Sequence, residues 1–108
     1  MAKIHTTLSG DFDRWVKKIE NGVLNASVSA SLEEHWEREE NGARVAVLIF
    51  ERYSYTGQNR VSMNVTLFQN EGLIHLFAAT SGGSQAVFFK LSTLGEENFL
   101  DTLKDIIL

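Results

Sequence analysis

The sequence predicts an α+β fold: one antiparallel sheet with two helices packed on one of its faces. Three observations carry this. A run of segments alternates apolar and polar residues, and short turn signals separate them, so the strands they predict run antiparallel. Two segments with apolar residues at helical spacing bracket that run, one early and one at the end. The chain has 108 residues, 44% of them hydrophobic, so residues 1–108 read as a single domain. A chain of this size buries about 65% of its surface on folding, and one core suffices.

Residues 3–8 set Ile4, Thr6 and Leu8 against Lys3, His5 and Thr7, a short strand suited to a sheet edge. Asp11 can cap a helix in which Phe12, Trp15, Val16 and Ile19 share a face and Lys17, Lys18 and Glu20 stay outside. Asn21-Gly22 is expected to end that helix, because glycine takes the left-handed conformation cheaply. Val23 and Leu24 would then pack beneath it. A second strand is expected from Ala26, with Val28, Ala30 and Leu32 alternating with Ser27, Ser29 and Ser31.

That strand runs through Trp36 to Asn41-Gly42, a strong hairpin signal. A two-residue turn pairs Glu39 with Arg44, Trp36 with Val47, Ala30 with Tyr53 and Val28 with Tyr55. The register puts Val28, Ala30, Leu32, Trp36, Val45, Val47, Ile49, Tyr53 and Tyr55 on one face, expected to be the core. Leu48 and Phe50 fall on the other, with Ser27, Ser29, Ser31, Glu33, His35 and Glu37.

Thr56-Gly57-Gln58 reads as a loop into a fourth strand, where Val61, Met63, Val65 and Leu67 alternate with polar residues. A three-residue loop keeps these four on the expected core face; two or four residues would flip them. Asn70-Glu71-Gly72 turns into a strand over 73–79 that is apolar on both faces. Gly82-Gly83 then leads to a short expected sixth strand over 86–91. Thr93 and Glu96 have the spacing of a capping box. Phe99, Leu103 and Ile106 form the stripe of a last helix, broadened by Leu100 and Ile107. The order β-α-β-β-β-β-(β)-α resembles TATA-binding-protein-like and helix-grip architectures, a likeness that carries no function.

Composition excludes several chemistries. The chain has no cysteine, so disulfides, thiolate metal sites and a cysteine nucleophile are ruled out. The first six residues contain no apolar run, and nowhere do the ~20 apolar residues of a membrane helix occur. A cytoplasmic protein with no membrane partner is expected. The net charge of −4 argues against nucleic acid, whose phosphates demand clustered Lys and Arg. No motif calls for a cofactor.

Three segments resemble a bacterial family of short single-domain proteins catalogued only as a domain of unknown function. They are Asn25-Ala26-Ser27-Val28-Ser29-Ala30-Ser31-Leu32, then Glu51-Arg52-Tyr53-Ser54-Tyr55-Thr56-Gly57 with Asn59-Arg60-Val61-Ser62, and the stretch 81–101 built on Ser81-Gly82-Gly83-Ser84-Gln85. The resemblance covers nearly the whole chain. It implies no activity, cofactor or catalytic residue.

Several constellations are candidate sites. Gly82 and Gly83, with Ser81, Ser84 and Gln85, can present backbone and side-chain donors to an anion. A turn needing positive φ is the simpler account, since no phosphate-loop lysine accompanies them. Arg52, Tyr55, Asn59, Arg60 and Lys90 are further ligand candidates. Glu34 and Glu51 fall diagonally across the first hairpin, and neighbouring carboxylates can split acid and base roles. A solvated pair is the competing reading. Glu33, His35, Glu37 and Glu39 alternate along one strand, but with one imidazole they read as a solvated edge rather than a metal site. His5 and His75 have no sequence partner.

Two short helices cover one face of a sheet. The other face, expected to carry Leu48, Phe50, Phe88 and Phe89, reads as an interface. The leading reading is a non-enzymatic binding module that forms a homodimer. A carrier of a small apolar molecule in a cleft between sheet and helices, and an enzyme using Glu34 and Glu51, are the alternatives.

Overall fold

A computed structural model describes residues 1–54, 59–82 and 89–108. The elements are β1 (Lys3–Leu8), α1 (Phe12–Ala26), β2 (Ser31–Glu40), β3 (Ala43–Ser54), β4 (Asn59–Gln69), β5 (Ile74–Gly82) and α2 (Phe89–Ile107). The five strands form one antiparallel sheet in the order β1-β5-β4-β3-β2. The expected α+β class and element order hold.

Local chemistry sets most boundaries. The Asp11 carboxylate accepts the Arg14 amide at 2.9 Å and opens α1. Asn41 and Gly42 both have positive φ, 51° and 85°, the two-residue turn that matches strand twist. Glu40 then pairs with Ala43, Glu39 with Arg44 and Trp36 with Val47.

Helix α1 does not stop at Asn21-Gly22; it continues to Ala26. Gly22 is an internal helix residue chosen for closeness: a Cβ there would lie 2.6 Å from Ile106 Cδ1 on α2. Strand β2 therefore starts at Ser31, and Val28 is fully exposed before it. The apolar alternation at Val28, Ala30 and Leu32 belongs only in its last residue to a strand.

A register shift lies between Leu32 and Glu34. Leu32 pairs with Phe50, whereas Glu34 pairs with Ile49, so Glu33 is an extra residue and the faces exchange across it. The expected pairing of Ala30 with Tyr53 does not form, because β2 begins only at Ser31; Tyr55, the expected partner of Val28, lies outside the described residues.

The face assignment of the hairpin is accordingly inverted. Ala46, Leu48 and Phe50 are fully buried against the helices, while Trp36 is 48% exposed and Tyr53 36%. Leu48 and Phe50 are core residues, not interface residues. Val61, Met63, Val65 and Leu67 do face the core. Ser54 pairs with Asn59, so four residues separate the strands, and the flip expected for that length fell on β3 instead.

The core joins these side chains to Ile74, Leu76 and Ala78 of β5, Phe12, Val16, Ile19 and Val23 of α1, and Phe99, Leu100, Leu103 and Ile107 of α2. Both helices therefore cover one face. Residues 89–91, expected in a sixth strand, begin α2; residues 86–88 lie outside the described residues. Thr93, expected at the start of the last helix, falls inside α2. Glu96 is buried, with its carboxylate 2.8 Å from the Met1 amino nitrogen.

Candidate functional site

The face of the sheet opposite the helices has no covering element among the described residues. Strand alternation assigns its residues. β1 presents Lys3, His5 and Thr7; β5 presents His75, Phe77, Ala79 and Ser81; β4 presents Arg60, Ser62, Asn64, Thr66 and Phe68. β3 presents Val45, Val47, Ile49, Glu51 and Tyr53, and β2 presents Glu34, Trp36 and Arg38.

The registers align these residues in rows across all five strands. One row reads His5, Phe77, Thr66, Val47, Trp36, and the next Thr7, His75, Phe68, Val45, Arg38. Phe77 is 45% exposed and Phe68 44%. With Trp36, Val45, Val47 and Ile49 they make a continuous apolar band. Its rim is polar: Arg60 donates to Glu51 at 3.0 Å, and the Ser62 and Ser81 hydroxyls meet at 3.0 Å. His5 and His75 stack, with ring centroids 6.0 Å apart and planes inclined by 15°. Neither histidine has a local sequence signal for the other; only the pairing of β1 with β5 joins them.

The sequence-level candidates disperse. Glu34 and Glu51 share a face, as expected, but it is the open one, where Glu34 is exposed and Glu51 is engaged by Arg60. Ser81 and Gly82 belong to β5 rather than to a turn. A Cβ on Gly82 would come within 3.1 Å of Val61 Cα, so this glycine admits close strand approach. Lys90 and Phe89 lie in the first turn of α2. Tyr55, Gly83, Ser84, Gln85 and Phe88 lie outside the described residues. Arg60 points to the open face, whereas Arg52 and Asn59 share the helix side at the opposite end from the Asn41-Gly42 turn.

The acidic strand β2 is organised by cations. His35 Nδ1 lies 2.8 Å from Glu20 on α1, and its Nε2 lies 2.6 Å from Glu37. Those two carboxylates, Glu37 first, hold the imidazolium above the usual histidine range against the opposing effect of burial. Arg44 donates to Asp13 at 2.6 Å, lies 3.5 Å from Glu37 and stacks over Phe12. Its hydrogen bond holds the Asp13 carboxyl below the usual carboxylate range. Among the described residues no group of three or more metal-ligating side chains fits an ion. No described helix is long and apolar enough to cross a membrane.

The family model for a family of unknown function, DUF6054, spans residues 1–108. The chain belongs to that family. A comparison with curated proteins gives no match. Membership thus joins this fold to a family without an assigned activity, and the site has to be read from its chemistry.

Proposed function

We propose that this DUF6054 protein is a non-enzymatic interaction module that self-associates through the open face of its sheet. The observation that carries the reading is the apolar band of Trp36, Val47, Val45, Phe68 and Phe77 on a five-stranded face that none of the described elements covers. Large exposed apolar patches with polar rims mark interaction surfaces. Strands spaced about 4.8 Å apart give this face a projected area on the order of 600 Å², close to the ~800 Å² per partner of a stable interface.

Charge permits the contact. The chain carries −4 overall, yet the open face sets Lys3, Arg38 and Arg60 against Glu34 and Glu51. Two copies approaching face to face meet near-neutral surfaces rather than two acidic ones. Aromatic side chains at the centre of such a patch supply most of the binding energy. In this reading the protein works in the bacterial cytoplasm as a soluble homodimer without a cofactor.

Size-exclusion chromatography with light scattering tests it. The expected result is a dimer at micromolar concentration, converted to a monomer by Phe77→Glu or Trp36→Glu with the unfolding midpoint little changed. A wild-type monomer across the micromolar range, or a dimer indifferent to both substitutions, overturns the reading.

A further inference from the structure

On the helix side of the sheet, at the end where β3 passes to β4, two polar side chains are incompletely satisfied. Asn59 has both its Nδ2 and its Oδ1 buried from solvent, and neither has a hydrogen-bond partner among the described residues. Such groups are rare, because a buried unpaired amide costs about 1–3 kcal/mol. Arg52 lies on the adjacent strand and the same face: Arg52 pairs with Val61 and Ser54 with Asn59. The two side chains are thus diagonal neighbours, roughly 7–8 Å apart along the diagonal, which is within reach of a long side chain.

Arg52 is held in place without being neutralised. Its Nη1 donates to Thr102 Oγ1 at 3.1 Å, and its guanidinium stacks over the Phe99 ring at 4.5 Å. Thr102 in turn donates its hydroxyl proton to the Asn98 carbonyl at 3.3 Å, which leaves the hydroxyl lone pairs for Arg52. No carboxylate among the described residues pairs with this guanidinium. Half-burial without a counter-ion lowers its pKa from the usual arginine value. The remaining guanidinium donors form a fork suited to a carboxylate. Asn59 adds a donor and an acceptor beside it.

We infer that Arg52 and Asn59 form a binding site for a small organic acid between β3, β4 and α2. Its carboxylate takes the free donors of Arg52 and the Asn59 Nδ2, and a hydroxyl on the adjacent carbon donates to Asn59 Oδ1. The aliphatic members of the core around Phe99 are packed without exposure, so the site suits a short acid rather than a long apolar chain. It lies on the opposite side of the sheet from the self-association face, and occupancy does not depend on the dimer.

Titrating the ¹⁵N-labelled protein with lactate, propionate and inorganic phosphate, read by amide chemical shifts, tests the site. Saturable shifts confined to residues 50–54, 59–62 and 98–102 are expected, with lactate binding more tightly than propionate. Arg52→Gln should weaken lactate roughly tenfold or more, since hydrogen bonds to charged groups are worth about 1.5–3 kcal/mol. Asn59→Ala should weaken both acids and abolish the preference for lactate over propionate. No saturable shift with lactate or propionate, or equal shifts in wild type and Arg52→Gln, overturns the inference. Saturation by phosphate alone also overturns it, because a generic anion site would not use the Asn59 acceptor. Should Arg52→Gln fail to fold, Asn59→Ala alone decides between the outcomes.

Discussion

Gly22 shows how one side chain, or its absence, sets the distance between two helices. Alanine would favour α1 by about 1 kcal/mol on propensity alone. The added methyl would press on Ile106 at 2.6 Å from Cδ1 and 2.8 Å from Cγ1, and overpacking of this kind costs about 1–3 kcal/mol. Gly22→Ala should therefore destabilise the wild type. In an Ile106→Ala background the obstruction is gone, and the same substitution should stabilise. Urea unfolding of the four proteins in that cycle measures the change of sign. The sequence gives Asn21-Gly22 the look of a helix stop, because a C-terminal glycine and a packing glycine are identical until the second helix is in place. Arg44 is a parallel case. Its register partner Glu39 is legible from the hairpin, but its hydrogen bond goes to Asp13, thirty-one positions away.

At the scale of elements, the edge strand β2 is tied to α1 through His35. Glu20 and Glu37 grip its two ring nitrogens, while Arg44 and Asp13 complete the charged surroundings of Glu37. The folded-state pKa of His35 is raised above its ordinary value of 6.5. Its contribution is then fully present below that value and is lost as the pH rises through the higher folded pKa. Comparing the unfolding midpoints of wild type and His35→Gln across pH should show the largest gap under mildly acidic conditions. The gap should close in the alkaline direction. Much of the element order was legible, because Asp11, Asn41-Gly42 and the alternation of β4 each have a local cause. The face of the β2–β3 hairpin was not. Residues 45–50 are apolar at every position, so β3 has no polar side to orient it. The extra residue Glu33 then reverses β2 without leaving a glycine to mark it.

At the scale of the whole molecule, the inversion moved the open face from Leu48 and Phe50 to Val45, Val47 and Trp36. That the two helices leave one apolar face of the sheet to the other side was readable; its membership was not. Contact through that band is apolar at its centre, so ionic screening has little to act on. The proposed dimer should persist when salt is raised towards molar concentration, as followed by sedimentation velocity, whereas association through the acidic β2 edge would respond strongly to salt. The helix-side pair Arg52 and Asn59 was legible as residue types of interest. Their juxtaposition needed the register of β3 on β4.

The strand order carries one more consequence, in time rather than in space. Among the described residues β1 pairs only with β5, the strand farthest from it in sequence. During synthesis β2, β3, β4 and β5 can zip together as each emerges, but β1 has no partner until residues 74–79 have left the ribosome. β1, made before the other four strands, is thus the last of them to join the sheet. Until it does, the edge of β5 stands unpaired, which is the interval in which a nascent chain is most exposed to wrong strand partners.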